Sequence, residues 1–428
     1  MEYNGQLLSS YAEGSWVEGT GAGREASHAV TGKTVATVNS DGLDFAAMLQ
    51  YGRNIGGPAL RKMTFHERAL MLKAMAKHLL EHKNRFYNVS AATGATKVDS
   101  WIDIEGGIGT FFVFSGKGRR ELPDQTFHIE GDTEQLSKEG SFVGQHICVP
   151  LEGVALHINA FNFPCWGMLE KLAPTFLAGM PAIVKPASQT AYLTHCMVQC
   201  MLESGILPEG ALQIICGGVG DTFDHLTCQD VVTFTGSAAT GKKLKQHPSI
   251  IEHSIRFNLE ADSLNCSILG ADVTPDTEEF GLFVKEVAKE MTVKAGQKCT
   301  AIRRTIVPEG LVDDVVKALS KRLDKTVLGN PSNESVRMGP LVSRGQVEEV
   351  GERVQEIAQC AELVYGGLQS DFNVVDADRE LGAFFPPTLL YCKSPLENSA
   401  PHDIEPFGPV STVLPYSSIE EALSLIHI

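Results

Sequence analysis

Short apolar runs alternate with helical patterns from residue 150 onward. The runs that we interpret as strands cover residues 154–158, 182–184, 212–215 and 231–234. Apolar residues at helical spacing indicate helices in 168–177 and 192–202. Such alternation is typical of a parallel sheet with helical crossovers. A second strand-and-helix series begins near Ser263, so the pattern predicts an α/β fold for most of the chain.

The amino-terminal part reads differently, because short strand-like and glycine-rich segments precede a helix. Thr64 and Glu67 have the spacing of a capping box, in which the hydroxyl and the carboxylate each bind an unpaired backbone amide. Apolar residues then repeat at helical spacing up to Leu80. Residues 124–145 are polar and poorly periodic, which allows either a hairpin or a loop.

Composition narrows the class of protein. A chain of 428 residues is too long for one ordinary domain and predicts two or three. Its net charge of −16 argues against nucleic acid or an anionic membrane as the main partner. No stretch approaches a membrane-spanning length, and the first residues lack the basic start and apolar core of a secretion signal. We therefore expect a cytoplasmic protein with neither nucleic acid nor a membrane as partner.

The ten cysteines show no paired Cys-x-x-Cys spacing. Cys196 and Cys200 stand one helical turn apart with His195 beside them, but ligands from one turn rarely complete a tetrahedral set. The apolar residues around them indicate a buried helix face. We therefore predict reduced thiols and no metal site.

One cysteine, Cys299, stands in a small glycine-containing turn between an amphipathic segment and the strand-like run 303–307. A thiol at the end of an element can meet a substrate, and Lys294 and Lys298 nearby would favour the nucleophilic thiolate. A cysteine in a turn is more often a small, half-buried residue, so the turn alone identifies no nucleophile.

A second candidate segment follows the predicted strand 231–234 and opens a helix. It contains Gly236, Ser237 and Gly241. Backbone amides and the helix dipole at such a position favour a pyrophosphate. The segment lacks the three-glycine dinucleotide fingerprint, so it is a weak signal by itself.

Five ordered motifs resemble the signature set of the aldehyde dehydrogenase superfamily, from about Ser15 to Tyr416. They are Asn159-Ala160-Phe161-Asn162-Phe163-Pro164, Phe234-Thr235-Gly236-Ser237, Asn258-Leu259-Glu260-Ala261-Asp262, the Cys299 turn, and Glu405-Pro406-Phe407-Gly408-Pro409-Val410. The resemblance implies an oxidoreductase with an aldehyde dehydrogenase-like fold that forms homo-oligomers. It predicts a Rossmann-type cofactor domain in 1–123 and 146–259, a catalytic α/β domain in 260–428, and a β oligomerisation excursion in 124–145.

The resemblance also implies catalytic roles. Cys299 would attack the aldehyde and end as a thioester after hydride transfer. The side-chain amide of Asn162, otherwise a turn-capping residue, would stabilise the oxyanion, and loss of one such donor typically costs about 3 kcal/mol. Glu260, in an apolar run, would activate the hydrolytic water, with Asp262 as the competing acid. A glutamate at this position implies release of a free carboxylate rather than transfer to coenzyme A.

Further residues are implied to bind the cofactor. Lys185 would contact the adenosine ribose. Relatives often carry a glutamate three residues later that repels a 2′-phosphate, whereas this chain has Ser188, which favours NADP over NAD. Glu405 would hold the nicotinamide ribose beside Phe407, although the same residues could form an ordinary turn before Pro409.

A departure from the common pattern points to one branch of the family. The usual Leu-Gly-Gly-Lys after the glutamate is replaced by Ala261-Asp262-Ser263-Leu264-Asn265. With segments 157–167 and 384–388, this resembles the branch of aerobic phenylacetate degradation, whose members join an aldehyde dehydrogenase to a hydratase-like domain. That branch oxidises a CoA-thioester, 3-oxo-5,6-dehydrosuberyl-CoA semialdehyde, with NADP. The alternatives are the benzoyl-CoA branch, which oxidises 3,4-dehydroadipyl-CoA semialdehyde, and an inactive assembly module.

The carboxyl-terminal end carries one more expectation. Family members continue well past the Glu405 motif, whereas this sequence stops at Ile428. We therefore expect a catalytic domain that is incomplete at its carboxyl terminus. The last six residues also resemble a translated sequencing adapter.

Overall fold

The computed structural model describes residues 3–427, which form two compact units. The first unit contains residues 3–26, 35–89 and 101–261, and the second contains 27–34, 90–100 and 262–427. This division differs from the predicted one in two respects. Glu260 belongs to the first unit, because its strand is hydrogen-bonded into that unit's sheet. Two short segments, 27–34 and 90–100, belong to the second unit although they lie early in the sequence.

The strands and helices of both units are as follows. The strands are β1 Gln6–Leu8, β2 Ser10–Ala12, β3 Ser15–Val17, β4 Arg24–Ser27, β5 Thr34–Val38, β6 His128–Gln135, β7 Val143–Cys148, β8 Ala155–Ile158, β9 Ala182–Lys185, β10 Leu212–Ile214, β11 Val231–Thr235, β12 Arg256–Glu260, β13 Asn265–Ile268, β14 Ile302–Pro308, β15 Glu362–Tyr365, β16 Thr388–Tyr391 and β17 Val410–Tyr416. The α-helices are α1 Phe45–Tyr51, α2 Gly57–Arg61, α3 Phe65–Glu81, α4 Lys83–Ser90, α5 Lys97–Trp101, α6 Gly107–Glu121, α7 Trp166–Leu177, α8 Ala191–Glu203, α9 Ala238–Lys245, α10 Pro248–Glu252, α11 Glu278–Thr292, α12 Val312–Leu323, α13 Arg344–Ile357, α14 Ala400–Asp403 and α15 Ile419–Ile426.

The first unit is built on a seven-stranded sheet with the order β12-β11-β8-β9-β10-β2-β3. From β8, the chain places β9 and β10 on one side and β11 and β12 on the other, all parallel. This is the 3-2-1-4-5 strand order of a dinucleotide-binding fold. The predicted Rossmann-type sheet is confirmed, and the four strands whose bounds were predicted (β8, β9, β10 and β11) begin and end within one residue of those bounds.

Helices of the first unit are positioned by the features that the sequence showed. Thr64 Oγ1 accepts the Glu67 amide at 3.2 Å, and Glu67 Oε2 accepts the Thr64 amide at 2.8 Å, so the predicted capping box starts α3. Such a cap typically contributes about 1 kcal/mol. Cys196 and Cys200 lie on the buried face of α8, as the apolar pattern around them predicted.

A two-stranded hairpin occupies the segment that the sequence left open between a hairpin and a loop. Strands β6 and β7 pair antiparallel and are mostly exposed. The hairpin begins at His128 and extends to Cys148, three residues beyond the predicted range. Its role in oligomerisation stays a prediction.

The second unit contains a five-stranded sheet with the order β13-β14-β17-β16-β15. The first four strands are parallel, and β15 pairs antiparallel with β16. Helices α11 and α12 pack on it through an apolar cluster that includes Val287, Met291, Val315 and Leu319. None of the helices between residues 3 and 427 combines the length and hydropathy that a membrane span requires.

Candidate active site

The candidate residues of the first unit lie at the carboxyl edge of its parallel strands. Asn162 follows β8, Lys185 ends β9, the segment 236–241 follows β11, and Glu260 ends β12. Open α/β sheets bind ligands at this edge, where the strand order reverses. Here the reversal lies between β8 and β11, so the sheet brings together the residues predicted to stabilise an oxyanion and to bind the cofactor.

The turn that carries Asn162 is held by side chains from neighbouring elements. Asp103 Oδ1 accepts the backbone amide of Trp166 at 2.9 Å, and the Thr190 hydroxyl donates to the carbonyl oxygen of Phe161 at 3.2 Å. Asn162 itself is half-buried. Asp103 was not predicted, although a carboxylate between two isoleucines in a helical pattern is a signal of a buried polar contact.

The segment after β11 has the close packing that a dinucleotide site requires. A Cβ atom on Gly241 would lie 2.3 Å from Leu259 Cδ1, so glycine is needed for α9 to approach β12. The Ser237 hydroxyl caps α9 by accepting the Thr240 amide at 3.4 Å. A Cβ on Gly236 would lie 2.7 Å from the ring of Phe234. The backbone at the start of α9 is therefore accessible to a pyrophosphate while the helix stays close to the sheet.

Lys185 and Ser188 flank the adjacent strand end. Burial lowers the pKa of the Lys185 ammonium, and repulsion from Arg24 lowers it further. Ser188 is half-buried and begins the helical turn Ser188–Thr190 that leads into α8. A hydroxyl at position 188 carries no charge that would repel a phosphate. Both residues fit a phosphorylated cofactor.

Glu260 lies at the exposed end of β12. The Thr235 hydroxyl donates to Glu260 Oε2 at 3.4 Å, and the Gly236 amide donates to the Glu260 carbonyl oxygen at 3.2 Å. The sequence placed Glu260 in an apolar run, but β12 is the edge strand of the sheet and is mostly exposed. The apolar surroundings that were predicted for this carboxylate are therefore wrong.

The candidate residues of the second unit lie at the amino ends of three parallel strands. The segment 263–265 enters β13, the Cys299 loop enters β14, and the segment 405–408 enters β17. Strand β14 pairs with both β13 and β17. The sheet thus places the predicted nucleophile and the predicted ribose-binding residue on neighbouring loops.

The Cys299 loop has an unusual backbone. Cys299 is exposed, as predicted for a thiol that meets a substrate. Before it, Lys294, Ala295 and Gly296 have φ angles of +57°, +51° and +67°. A left-handed residue other than glycine costs on the order of 1 kcal/mol and persists only where its surroundings enforce it. A Cβ on Gly296 would lie 2.2 Å from the carbonyl oxygen of Gly408, so this position requires glycine.

Buried polar side chains enforce this backbone. Asp99 Oδ1 accepts the Lys294 amide at 2.9 Å. Gln297 Nε2 donates to the Lys294 carbonyl oxygen at 3.1 Å, and its Oε1 accepts the Val342 amide at 3.0 Å. The Lys298 ammonium lies 2.6 Å from Glu290 Oε2. Because this ion pair compensates its charge, Lys298 contributes less to a thiolate than the sequence suggested.

The residues that depart from the common family pattern bind the backbone of the Cys299 loop. The Ser263 hydroxyl and the Asn265 side-chain amide both donate to the Cys299 carbonyl oxygen. Asn265 also donates to the Ala301 carbonyl oxygen at 3.2 Å. The Ser263 amide donates to Glu405 Oε2 at 3.0 Å. This segment therefore links the loop of the thiol to the predicted ribose-binding carboxylate.

A buried arginine joins the same two loops. Arg303 donates to the carbonyl oxygens of Gly296 and Gly408, and its guanidinium carbon lies 5.5 Å from the ring centroid of Phe407. It also pairs with Glu405 at 3.4 Å. Burial raises the pKa of the Glu405 carboxyl, and Arg303 opposes that rise. Arg303 was not predicted, although a charge inside an apolar strand is a signal of a buried partner.

Comparisons with known proteins agree with this architecture. Residues 16–426 match the aldehyde dehydrogenase family. A protein of Aromatoleum evansii named 3,4-dehydroadipyl-CoA semialdehyde dehydrogenase is 45% identical over 419 residues, which cover 98% of this chain and 81% of that protein.

Solved structures show the same fold. A crystal structure of a Mycobacterium tuberculosis aldehyde dehydrogenase complexed with NAD+ has a TM-score of 0.84 and 26% identity, over 98% of this chain and 83% of that chain. A betaine aldehyde dehydrogenase of Staphylococcus aureus in complex with NAD+ has a TM-score of 0.85 and 24% identity, over 99% and 80% of the two chains.

Proposed function

Because the chain belongs to the aldehyde dehydrogenase family, we propose that it oxidises a CoA-linked semialdehyde to the carboxylate, with 3,4-dehydroadipyl-CoA semialdehyde as substrate. The reaction class, NAD(P)-dependent aldehyde oxidation, is that of the family. The observation that carries the chemistry is the exposed Cys299 on a strained loop whose carbonyl oxygen is bound by Ser263 and Asn265. The 45% identity over nearly the full chain supports the substrate.

This proposal favours the benzoyl-CoA branch over the phenylacetate branch that the motifs first suggested. The Aromatoleum evansii relative, which matches 98% of this chain, is named for 3,4-dehydroadipyl-CoA semialdehyde, the substrate of the benzoyl-CoA branch. The 3-oxo-5,6-dehydrosuberyl-CoA semialdehyde of the phenylacetate branch is the second candidate, because the motifs in 157–167, 260–265 and 384–388 resemble that branch as well.

In the proposed mechanism, Cys299 Sγ attacks the aldehyde carbon and the carbonyl oxygen becomes an oxyanion. The side-chain amide of Asn162 and the backbone amide of Cys299 donate to that oxygen. Hydride acceptance is the chemistry that a bound nicotinamide supplies, and it leaves an acyl thioester on Cys299. Glu260 then takes a proton from water, whose oxygen attacks the thioester carbon; the C–S bond breaks, and the carboxylic acid leaves Cys299 as the thiolate, the form in which Sγ attacks the next aldehyde.

We further propose that NADP is the preferred cofactor. The dinucleotide strand order, the capped start of α9 and the close approach at Gly241 support a nucleotide site in the first unit. The Lys185 ammonium would attract a 2′-phosphate, and Ser188 has no carboxylate that would repel it. Glu405 and Phe407 are proposed to contact the nicotinamide ribose.

The test measures initial rates with both CoA-linked semialdehydes, their free semialdehydes and a simple aliphatic aldehyde. We expect the highest kcat/KM for 3,4-dehydroadipyl-CoA semialdehyde and loss of turnover in Cys299→Ala with cofactor affinity retained. Cys228→Ala, a change at another exposed cysteine, is the matched control and should match the parent. Higher kcat/KM with the phenylacetate-branch substrate would select the second candidate. If no aldehyde is turned over, the result would support the third alternative, an inactive assembly module.

A further inference from the structure

Three metal-ligating side chains meet between two helices of the first unit. His78 lies in the last turn of α3, His82 caps the carboxyl end of that helix, and Cys200 lies on α8. One possible ligand atom from each residue lies within 4.8 Å of the other two. Among residues 3–427, these three residues form the one group of three or more histidine, cysteine or carboxylate side chains whose ligand atoms are close enough to hold an ion. The proposed aldehyde oxidation uses none of the three.

The separation of the ligand atoms fits a tetrahedral ion. Zn–N bonds of about 2.0 Å and Zn–S bonds of about 2.3 Å at a tetrahedral angle place the nitrogen and sulfur about 3.5 Å apart. His78 Nε2 lies 3.5 Å from Cys200 Sγ. These two ligands could therefore bind one ion without movement of either helix.

The second histidine is oriented as metal-bound histidines commonly are. His82 Nδ1 lies 2.9 Å from the carbonyl oxygen of His78. Because a carbonyl oxygen only accepts, Nδ1 must carry the proton, which fixes the ring and leaves a lone pair on Nε2. The two imidazole rings stand 4.3 Å apart between centroids, so they lie side by side at the carboxyl end of α3.

A hydrogen bond alone accounts for only part of this cluster. His78 Nε2 donates to the Cys200 carbonyl oxygen at 3.2 Å, so metal binding requires that this proton move to Nδ1. The same Nε2 lies within hydrogen-bonding distance of Cys200 Sγ, so the feature that hydrogen bonding to α8 leaves unexplained is the His82 ring beside that of His78. The nearby Glu203 carboxylate is occupied by both guanidinium nitrogens of Arg85, at 2.6 and 3.2 Å, and is not counted as a ligand. His82 is exposed, so water can complete the coordination.

We propose that His78, His82 and Cys200 bind Zn²⁺ or a closely related divalent transition-metal ion that ties α3 to α8. A thiolate with two imidazoles suits zinc, whereas Mg²⁺ and Ca²⁺ prefer oxygen ligands. The sequence prediction of no metal site considered only the ligands on α8. The missed signal is the spacing of His78 and His82, which places both rings on one side of a helix.

The test titrates chelator-treated protein with Co²⁺ and follows the thiolate-to-cobalt charge-transfer absorption. Zn²⁺ affinity is then measured by competition with a chromophoric chelator. We expect one equivalent to bind the parent. Cys200→Ser should lose the absorption band, and His82→Asn and Cys200→Ser should each weaken zinc binding at least tenfold. Cys196→Ser is the matched control, because Cys196 is buried on the same helix outside the cluster.

Two further measurements separate the site from other thiols and from misfolding. The titration is repeated with Cys299→Ser, which should keep the band and the stoichiometry. Zn²⁺ should raise the melting temperature of the parent and of Cys196→Ser but not of His82→Asn. Because the His82 side chain is exposed, its replacement should not unfold the protein, so a lost response to Zn²⁺ reports lost binding. A band that persists in Cys200→Ser or disappears in Cys299→Ser, or a parent without saturable binding near one equivalent, overturns the proposal.

Discussion

Arg303 and Glu405 form a buried ion pair, with 3.4 Å between guanidinium and carboxylate and side chains 1% and 7% exposed. The pair lies where the loops entering β14 and β17 meet, and Arg303 also binds a backbone carbonyl oxygen of each loop. Removing two charges from water is expensive, so such a pair is weak evidence for stability. Its geometric effect is clearer, because one planar guanidinium fixes two loops relative to each other.

The first prediction concerns Arg303→Lys. A lysine keeps the charge but cannot bind Gly296, Gly408 and Glu405 together, so the Cys299 loop should lose its fixed position. We expect kcat/KM to fall about 100-fold, as for a displaced reacting group. We also expect the free energy of unfolding to fall by about 2 kcal/mol, because the buried carbonyl oxygens of Gly296 and Gly408 lose a donor. Steady-state kinetics and urea unfolding measure both effects.

The matched control for that change is Arg322→Lys, which alters an exposed arginine at the end of α12. It should leave both quantities unchanged. If Arg303→Lys retained parental kcat/KM while unfolding more easily, the arginine would contribute to stability without positioning the loop.

The second prediction concerns Glu260→Gln. A glutamine cannot take a proton from water, so the thioester on Cys299 should form and then persist. Rapid mixing should show a burst of reduced cofactor, close to one equivalent per active site, followed by slow turnover. Asp262→Asn, which changes the competing acid, should keep both phases. Loss of the burst in Glu260→Gln would mean that Glu260 instead activates the thiol.

Much of the first unit was predictable from sequence, because parallel strands buried on both faces read as short apolar runs. Strand β8 was predicted from 154 and begins at Ala155, and β11 was predicted to 234 and ends at Thr235. The capping box at Thr64 was also predictable from the sequence, because its two residues, Thr64 and Glu67, lie within one helical turn. Local patterns of this kind do not depend on the rest of the fold.

The hydrogen bonds that fix the Cys299 loop were not predictable in the same way. Asp99 binds the Lys294 amide across 195 positions of sequence, and Asn265 binds a carbonyl oxygen 34 positions away. Neither contact follows from periodicity, because each depends on which loops the sheets bring together. The same reason applies to segments 27–34 and 90–100, which join the second unit through tertiary contacts.

The third prediction concerns Ser188→Glu. A carboxylate at this position should repel a 2′-phosphate and accept ribose hydroxyls, which would shift the preference from NADP towards NAD. We expect the ratio of kcat/KM for the two cofactors to change at least tenfold, equivalent to about 1.4 kcal/mol. Gln189→Glu adds the same charge one residue later and should change the ratio less. Equal efficiencies in the parent, unaffected by Ser188→Glu, would contradict the assignment.

The last prediction concerns the pH dependence that Glu405 should produce. Burial raises the pKa of its carboxyl above the usual 4.5, although Arg303 opposes the rise. The folded protein therefore holds this proton more tightly than the unfolded chain does. The contribution of Glu405 to the free energy of unfolding is largest below the usual pKa and is lost as pH rises through the raised one.

Cofactor binding should respond in the opposite direction, because the charged carboxylate is the form that accepts two ribose hydroxyls. We expect the Kd for the cofactor, measured by fluorescence quenching, to rise as the pH is lowered through the raised pKa of Glu405. Glu405→Gln should bind more weakly and lose this slope, whereas Glu420→Gln, a change at an exposed glutamate, should keep the parental profile. An identical slope in Glu405→Gln would assign the titration to another group and remove Glu405 from the cofactor site.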